Sequence, residues 1–333
     1  MVSTRINEKK LRLKVKSYEK KFDEAKKEIS KILVGQDDVV DRLIQALLCN
    51  GHVLLEGIPG VGKTLLIRSL SAIVGAGFSR IQFTPDLLPT DIVGIQTYNE
   101  KKGFYTVKGP IFSNFVLGDE INRSPPKVQS ALLEGMQERQ VTIGKETFNL
   151  PKPFFVMATM NPLEQVGTYK LPEAQLDRFL FKVVMGYPRF EDELKILEQN
   201  MTLNDFNDFK LEKVFTKKQV VEAQELTKQI LLDEKMERYI VRLVDATRNP
   251  EKYDLEKGKY LGYGGSPRAS IALYIASKAK ALLSGKARVT PKEIRSALKP
   301  VLRHRIIVNF EGQALEVTPE DVIDEIIKKV KIV

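Results

Sequence analysis

The most chemically specific stretch of the sequence begins at His52 and reads HVLLEGIPGVGKT. It fits the pattern G-x-x-x-x-G-K-[ST], with a strand-like apolar run before it and apolar residues at helical spacing after it. Glycines let successive backbone N–H groups curl around phosphate oxygens, and the following helix points its positive dipole end at the same anion. We therefore expect nucleotide contacts from Gly57, Pro59, Gly60, Val61, Gly62, Lys63, Thr64 and Leu65.

Two of these residues have specific roles in the pattern. Lys63 is expected to reach the β- and γ-phosphates of the nucleotide, and the hydroxyl of Thr64 is expected to bind Mg²⁺. The alternative is a strand-to-helix turn that binds no ligand. The strand and helix patterns on either side of the turn favour nucleotide binding.

Further candidates follow two apolar, strand-like runs later in the chain. Asp119 and Glu120 come directly after residues 114–118, and Asn161 comes after residues 154–159. A carboxylate pair at the carboxyl end of a strand lies beside the phosphate loop in an open α/β sheet. Asp119 is expected to complete the Mg²⁺ shell, and Glu120 to polarise the attacking water. Asn161 is suited to hold that water, although an Asn-Pro turn explains the same residues.

Two arginines are candidates for stabilising the charge that develops during phosphoryl transfer. Arg178 lies in the segment LDRF, and Arg268 lies in the segment GSPR. An arginine supplied by the same chain or by a neighbour can raise the rate of such a reaction about 10³- to 10⁵-fold. The chain has 53 Lys and Arg residues, so spacing alone does not distinguish these two from arginines in surface ion pairs.

Taken together, these motifs resemble the MoxR family of AAA+ ATPases in their order and spacing. The resemblance covers roughly residues 22–310 and rests on GIPGVGKT, INRSPPKVQSALLEGMQE, ATMNP, LPEAQLDRF, GGSPRA and VLRHRI. It implies that Asp119 and Glu120 are the Walker B pair and that Asn161 is the sensor 1 residue. The sequence departs from the residues usual in the family at Gly118, Met160 and Lys170, none of which is a catalytic position.

The same resemblance implies roles for other parts of the chain. Arg178 matches the arginine finger that reaches into a neighbouring subunit's site, and Arg268 matches the sensor 2 arginine of the lid. Residues 95–109 look like the hairpin inserted in helix 2, and residues 140–149 look like the hairpin before sensor 1. The loop that borders the adenine corresponds to Val34, Gly35 and Gln36.

Strand-like and helix-like segments alternate up to residue 184, which predicts a parallel, doubly wound sheet. From about Pro188 the pattern becomes helical. The predicted fold class is α/β, with an αβα P-loop NTPase core of the AAA+ type around a parallel five-stranded sheet, followed by an all-α lid domain. Either Asp37 or Asp38 is expected to cap an early helix. The predicted domains are a basic N-terminal leader or helix at residues 1–21, the ATPase core at 22–187 and the lid at 188–333.

Composition limits the other possibilities. The single cysteine, Cys49, excludes an intramolecular disulfide, and two histidines argue against a multi-histidine metal site. The chain has no long apolar run and no signal peptide, which predicts a cytoplasmic protein without a membrane span. Of the net charge of +10, more than half lies in residues 1–31, with eleven basic and five acidic residues. Such an arm can bind nucleic acid or an anionic surface, but a solvated helix or frayed leader is favoured.

The expected function is that of an ATPase that forms a ring, expected to be a hexamer, uses ATP and Mg²⁺, and remodels protein partners. The family resemblance adds a partner with a von Willebrand A-type domain. One alternative is a DNA-dependent motor or loader, which the charge favours. The hairpin at residues 140–149 argues against it, since it has one lysine, Lys145, and one aromatic residue, Phe148. The other alternative is a nucleotide-gated scaffold with slow turnover.

Overall fold

The computed structural model describes residues 2–101, 103–162, 167–199 and 205–332. The chain forms two compact units. The domain boundaries expected after residues 21 and 187 stay predictions. The core unit contains Asp23–Phe179 and Val183–Glu222, and the helical unit contains Met1–Phe22, Leu180–Lys182 and Ala223–Val333.

Strands and helices alternate along the first two thirds of the chain. The strands are β1 (Val53–Gly57), β2 (Phe78–Gln82), β3 (Gly94–Asn99), β4 (Gly103–Lys108), β5 (Phe115–Asp119), β6 (Gln140–Ile143), β7 (Glu146–Asn149), β8 (Phe155–Met160) and β9 (Phe181–Met185). The helices are α1 (Val2–Ser30), α2 (Asp37–Leu48), α3 (Lys63–Val74), α4 (Pro89–Val93), α5 (Pro126–Glu138), α6 (Glu173–Leu176), α7 (Phe190–Gln199) and α8 (Lys217–Gln229).

The central sheet has five strands in the order β2-β5-β8-β1-β9, so the predicted five-stranded parallel sheet is confirmed. Val53, Leu54 and Leu55 of β1 are fully buried, as are the first three residues of β5. Such continuous apolar runs are typical of parallel strands that are covered on both faces. Because β5, β8 and β1 are parallel neighbours, their carboxyl ends meet at one edge of the sheet.

Two antiparallel hairpins, β3–β4 and β6–β7, confirm the two hairpins expected from the sequence. Gly94 closes the base of the first hairpin with φ at 104°. A Cβ atom at this position would collide with the carbonyl oxygen of Val107, so only glycine lets the strands approach this closely. The first hairpin carries exposed aromatic side chains, among them Tyr98 and Phe104, whose rings pack edge to face.

The helical unit is built mainly from α-helices. They are α9 (Glu234–Asp245), α10 (Pro267–Leu283), α11 (Pro291–Leu302), α12 (Phe310–Ala314) and α13 (Pro319–Lys329), with two short antiparallel strands, β10 (Leu261–Tyr263) and β11 (Ile307–Val308). α13 begins with a reciprocal cap: the Asp321 N–H donates to the Thr318 hydroxyl at 3.2 Å, and the Thr318 N–H donates to Asp321 at 2.9 Å. Such caps satisfy N–H groups that the first turn leaves free.

Two expectations concern the N-terminal region. The basic leader belongs to one long helix, α1, in which Val15 is the one buried residue among residues 8–21, so this stretch is largely solvated as expected. The cap of α2 is Gln36, so the expectation of an aspartate cap was wrong. Asp37 and Asp38 lie inside the first turn, where their charge favours the helix dipole. No helix among the described residues combines the length and apolar character that a membrane span requires.

Candidate active site

The glycine-rich segment forms a tight loop between β1 and α3. Gly62 caps α3 with φ at 91° and ψ at 21°, and Gly60 has φ at 81°. Both values lie in the left-handed region that favours glycine. No side chain caps the start of α3. The loop therefore presents backbone N–H groups and a positive helix end without a side chain in the way, which suits a phosphate group.

The side chains in and after the loop differ in their contacts and exposure. The Nζ atom of Lys63 donates a hydrogen bond to the carbonyl oxygen of Gly57 at 2.9 Å, so the lysine lies back across the loop. Thr64 and Val61 are half-buried, whereas Pro59 and Leu65 are exposed. Lys63 and Thr64 are thus placed at the start of α3, where the motif requires them.

The carboxylate pair lies at the carboxyl end of β5. Asp119 is 8% exposed, and its Oδ1 atom accepts a hydrogen bond of 2.6 Å from the hydroxyl of Thr159 on β8. The same hydroxyl accepts the N–H of Glu120 at 2.9 Å. Thr159 therefore fixes the side chain of one acidic residue and the backbone of the other.

Strand β2 supplies two further partners to this pair. The Nη2 atom of Arg80 donates to Oδ2 of Asp119 at 2.6 Å and to Oε1 of Gln82 at 2.6 Å. The Nε2 atom of Gln82 donates to Oε2 of Glu120 at 2.8 Å, and Nη1 of Arg123 bonds to the same oxygen at 3.1 Å. Both carboxylates are therefore held by cationic or amide donors in this structure.

Glu120 has an unusual backbone conformation. Its φ of 56° and ψ of 50° lie in the left-handed region, where a residue with a Cβ atom is disfavoured. The chain turns sharply here into a short 3₁₀ helix, Ile121–Arg123, which brings Arg123 back to the Glu120 side chain. Strained residues of this kind cluster at functional sites.

The other predicted site residues fall in both units. Asn161 follows β8 and is 5% exposed, next to the carboxyl end of β5 in the sheet order. Arg178 is half-buried in the core unit, two residues after α6 ends. Arg268 belongs to the helical unit, where it is exposed in the first turn of α10.

The loop predicted to border the adenine lies beside the phosphate loop. A Cβ atom at Gly62 would be 3.2 Å from a methyl carbon of Leu33, which directly precedes Val34. The Nε2 atom of Gln36 donates to the carbonyl oxygen of Gly186 at 3.3 Å, and this bond ties the loop to the chain after β9. Gly35 has φ at 73°. The hydrogen bond of Gln36 thus holds residues 34–36 near the carboxyl end of β9, which lies beside β1 in the sheet.

Sequence reasoning missed four residues that contact the carboxylates. A partial signal existed, because Arg80 and Gln82 are two positions apart in a predicted strand and so share one face. Thr159 is a hydroxyl residue in an otherwise apolar strand, which also indicates a specific partner. The missed residues are Arg80, Gln82, Arg123 and Thr159.

The donor set fits Mg²⁺ bound together with nucleotide phosphates. Among the described residues, no group of three or more His, Cys, Asp or Glu side chains could hold a metal ion by itself. Mg²⁺ usually takes one or two carboxylates and completes its shell with water and substrate phosphates. The oxygens of Thr64 and Asp119 are hard donors of this kind.

His52 and Cys49 have structural surroundings. Nδ1 of His52 accepts the Val156 N–H at 3.0 Å, so the ring proton lies on Nε2, which faces the Met136 carbonyl oxygen at 3.2 Å. Burial holds the pKa of His52 well below its usual value. Burial also raises the pKa of the Cys49 thiol, which disfavours the thiolate that a nucleophile needs.

Comparison with known proteins shows the family of this chain. Residues 52–181 match the family model for the ATPase family associated with various cellular activities (AAA), and residues 257–326 match the model for the AAA lid domain. Chaperone MoxR1 of Mycobacterium tuberculosis is 45% identical over 305 residues, which are 91% of this chain and 80% of that protein. The chain belongs to the MoxR family of AAA+ ATPases. The family resemblance expected from the motifs is therefore confirmed.

Other MoxR relatives support the same assignment. Protein MoxR of Methylorubrum extorquens is 30% identical over 313 residues, covering 88% of this chain and 90% of that protein. A crystal structure from Cytophaga hutchinsonii, described as a candidate ATPase, has a TM-score of 0.90 at 44% identity and covers 98% of both chains. The predicted AAA+ core with a helical lid is confirmed by these matches.

Proposed function

We propose that this MoxR-family protein hydrolyses ATP to ADP and phosphate and uses the reaction to remodel protein partners, as a chaperone-like machine. The main support for the proposal is that three elements lie together at the carboxyl ends of adjacent strands. These are the phosphate loop after β1, the acidic pair at the end of β5 and Asn161 after β8. The name of the relative Chaperone MoxR1 supports the remodelling role.

The proposed chemistry follows from the positions of these residues. Backbone N–H groups of the loop and Lys63 bind the phosphates, while Thr64 and Asp119 would hold Mg²⁺. When bound, Mg²⁺ would neutralise charge on the phosphate oxygens. Glu120 takes the proton of the attacking water, and Asn161 orients that water.

One oxygen of the Glu120 carboxylate has two hydrogen-bond donors in this structure. Gln82 and Arg123 both donate to Oε2 of Glu120, at 2.8 and 3.1 Å. The proton of the attacking water would therefore pass to the other oxygen, Oε1.

We further propose that the working form is a ring, with six subunits as the expected number. Arg178 would enter the neighbouring subunit's site, and Arg268 would approach the nucleotide from the lid of its own subunit. A site completed by two subunits is inactive in a monomer, so assembly and hydrolysis are coupled. The AAA family match and the lid match support this arrangement.

A mixing experiment tests the shared site. Arg178→Ala removes the donated arginine, and Glu120→Gln removes the base, so each variant alone should lose phosphate release. Mixed rings should recover part of the activity, because some sites then combine an intact Glu120 with an intact Arg178. Arg238→Ala is the control, since Arg238 is an exposed arginine on α9, which carries none of the predicted site residues.

Two results would refute parts of the proposal. Mixed rings that remain inactive, although mass measurements show both variants in one assembly, would exclude an arginine supplied by the neighbour. A wild-type ring that binds ATP but releases no phosphate would exclude hydrolysis. Lys63→Ala should lose nucleotide binding itself, which separates binding defects from defects in the chemical step.

The proposed partner is a protein with a von Willebrand A-type domain, in the cytoplasm. Glu120→Gln is expected to hold the ring in its ATP-bound form, so this variant should retain such a partner in the presence of ATP and release it with ADP. Neither a DNA-dependent motor nor a slow scaffold is favoured by the family finding. An ATPase rate that is unchanged by DNA at low and high salt is the result expected for a protein-remodelling ring.

A further inference from the structure

Gln129, on α5, is a buried amide that joins two separate parts of the core unit. Its side chain is 0% exposed. The Nε2 atom donates to the carbonyl oxygens of Ile121 at 3.1 Å and Ser124 at 3.0 Å. It also lies 3.3 Å from the carbonyl oxygen of Tyr169, which is 40 residues further along the chain. The amide nitrogen of Gln129 therefore lies within hydrogen-bond distance of three backbone carbonyl oxygens.

The first part that Gln129 holds is the turn after Glu120. Ile121 begins the 3₁₀ helix that returns Arg123 to the Glu120 carboxylate, and Ser124 ends it. Both Ile121 and Ser124 are fully buried. Water has little access to their carbonyl oxygens, so the amide of Gln129 is the group that keeps this turn in shape.

The second part is the segment of residues 167–178, which ends at Arg178. Tyr169 lies in this segment, and its N–H donates to the carbonyl oxygen of Asn122 at 2.7 Å. The bond runs directly between the two parts, beside the Gln129 amide. A displacement of either part would therefore break bonds to the other.

A neighbouring bond extends the connection to α6. The hydroxyl of Ser130, the residue after Gln129, accepts from Nε2 of Gln175 at 3.4 Å. Gln175 lies on α6, three positions before Arg178. The first turns of α5 thus contact both the turn after Glu120 and the helix that precedes Arg178.

We propose that Gln129 is a positioning residue that couples the Glu120 carboxylate of a subunit to the Arg178 that the same subunit presents to its neighbour. This inference rests on the proposed function, in which Arg178 acts in the next site. Loss of the amide would misplace both groups together. It would leave the phosphate loop unchanged, because the hydrogen bonds of Gln129 run to Ile121, Ser124 and Tyr169.

The first test separates nucleotide binding from turnover. Gln129→Met keeps the length of the side chain and removes its donors, so kcat should fall about 10- to 100-fold, since small misplacements of reacting groups have effects of this size. The dissociation constant of a fluorescent ATP analogue should stay unchanged. Gln137→Met is the matched control, because Gln137 is exposed on the same helix, and it should behave as wild type.

The second test asks whether Arg178 is misplaced as well. In rings that mix Gln129→Met with Arg178→Ala, the sites that have a correctly placed Glu120 receive their arginine only from Gln129→Met subunits. These rings should recover far less activity than the positive control, in which Glu120→Gln is mixed with Arg178→Ala. Recovery in both mixtures to the same level would overturn the coupling, as would a wild-type kcat for Gln129→Met.

The outcomes distinguish this inference from the function on which it rests. No recovery in the positive control would remove the shared site, and with it the coupling. Much stronger recovery in the positive control than in the Gln129→Met mixture supports both. If Gln129→Met does not fold, Gln129→Asn takes its place, because its amide is one methylene too short to reach both parts. The same comparisons of kcat, nucleotide affinity and mixed rings then apply.

Discussion

The guanidinium group of Arg80 bonds to the carboxylate of Asp119 at 2.6 Å, across the neighbouring strands β2 and β5. Asp119 is also the residue that we propose holds Mg²⁺. The arginine and the metal ion would then compete for the same carboxylate. Half of the Arg80 side chain is exposed, at 50%, so it can swing into solvent when the carboxylate is engaged elsewhere.

Arg80→Gln should lower the Mg²⁺ concentration needed for half-maximal ATP-dependent stabilisation of the protein. A surface ion pair that involves a partly buried carboxylate contributes about 1 kcal/mol or somewhat more, so the shift should be about fivefold. The measurement is thermal unfolding at fixed ATP over a Mg²⁺ series. Arg189→Gln removes the same charge from an exposed site of the core unit and should not shift the series. An equal or higher Mg²⁺ requirement in Arg80→Gln would show that Arg80 supports the metal site instead.

We predict that the hydroxyl of Thr159 contributes more to the free energy of unfolding than its methyl group does. Thr159→Val has nearly the same shape but leaves the Asp119 carboxylate and the Glu120 N–H without their partner, in a position that is 0% exposed. We expect a loss of about 1–3 kcal/mol in the free energy of unfolding, measured by urea denaturation. Thr159→Ser keeps both hydrogen bonds and should lose less than Thr159→Val. The reverse order would mean that packing of the methyl group dominates.

The stability of the protein should depend on pH through His52. Its pKa is lowered in the folded state by burial, so below about pH 6.5 the unfolded chain binds a proton that the folded protein does not. Stability contributed by His52 is therefore present above that pH and is lost on acidification, by at most about 1.4 kcal/mol per pH unit. The measurement is the free energy of unfolding between pH 7.5 and 5.5.

His52→Gln removes the titrating group and provides the comparison. The variant should be less stable at pH 7.5, because it disturbs the bonds to Val156 and Met136. It should lose less stability than wild type on acidification. Parallel pH curves for the two proteins would show that His52 is not the group responsible.

Gly118 is constrained by packing rather than by its backbone. An alanine Cβ would lie 3.0 Å from a Leu132 methyl carbon and 3.2 Å from the ring of Phe83. Overpacking costs about 1–3 kcal/mol, and replacing a strand glycine recovers about 0.5–1 kcal/mol, so Gly118→Ala should be destabilising by about 1 kcal/mol. Adding Leu132→Val should reverse most of the loss measured by thermal unfolding.

Gly186→Ala is the control, since nothing lies within 4 Å of a Cβ atom there. This variant should keep wild-type stability. A Gly118→Ala protein as stable as wild type would show that Leu132 and Phe83 move aside at little cost.

Features that depend only on residues close together in the sequence were predicted well. The phosphate loop is an example, because its glycine spacing and the Lys63-Thr64 pair act within one short segment. Helix α5 is another: it begins at Pro126, since proline is favoured in the first helical turn, and it ends at Glu138. The position of Asp119 and Glu120 at a strand end followed from the apolar run before them.

Local patterns were less reliable where several residues compete for one role. Asp37 and Asp38 are both good capping residues, yet the helix starts one residue earlier and Gln36 occupies the cap. A single residue of difference at a helix end is decided by the packing of the loop that enters it. The basic leader followed its local pattern more closely, since it is helical and Val15 is the one buried residue among residues 8–21.

The sequence by itself determined which residues are the candidates for phosphate chemistry and that they end strands or begin a helix. Only the tertiary structure decided what surrounds them. Arg80 lies 39 residues before Asp119, and Tyr169 lies 40 residues after Gln129. Periodicity shows which face a side chain occupies, but it does not show which strand or segment lies next to it. That choice depends on the strand order β2-β5-β8-β1-β9, which is set by burial of the whole sheet rather than by any local pattern.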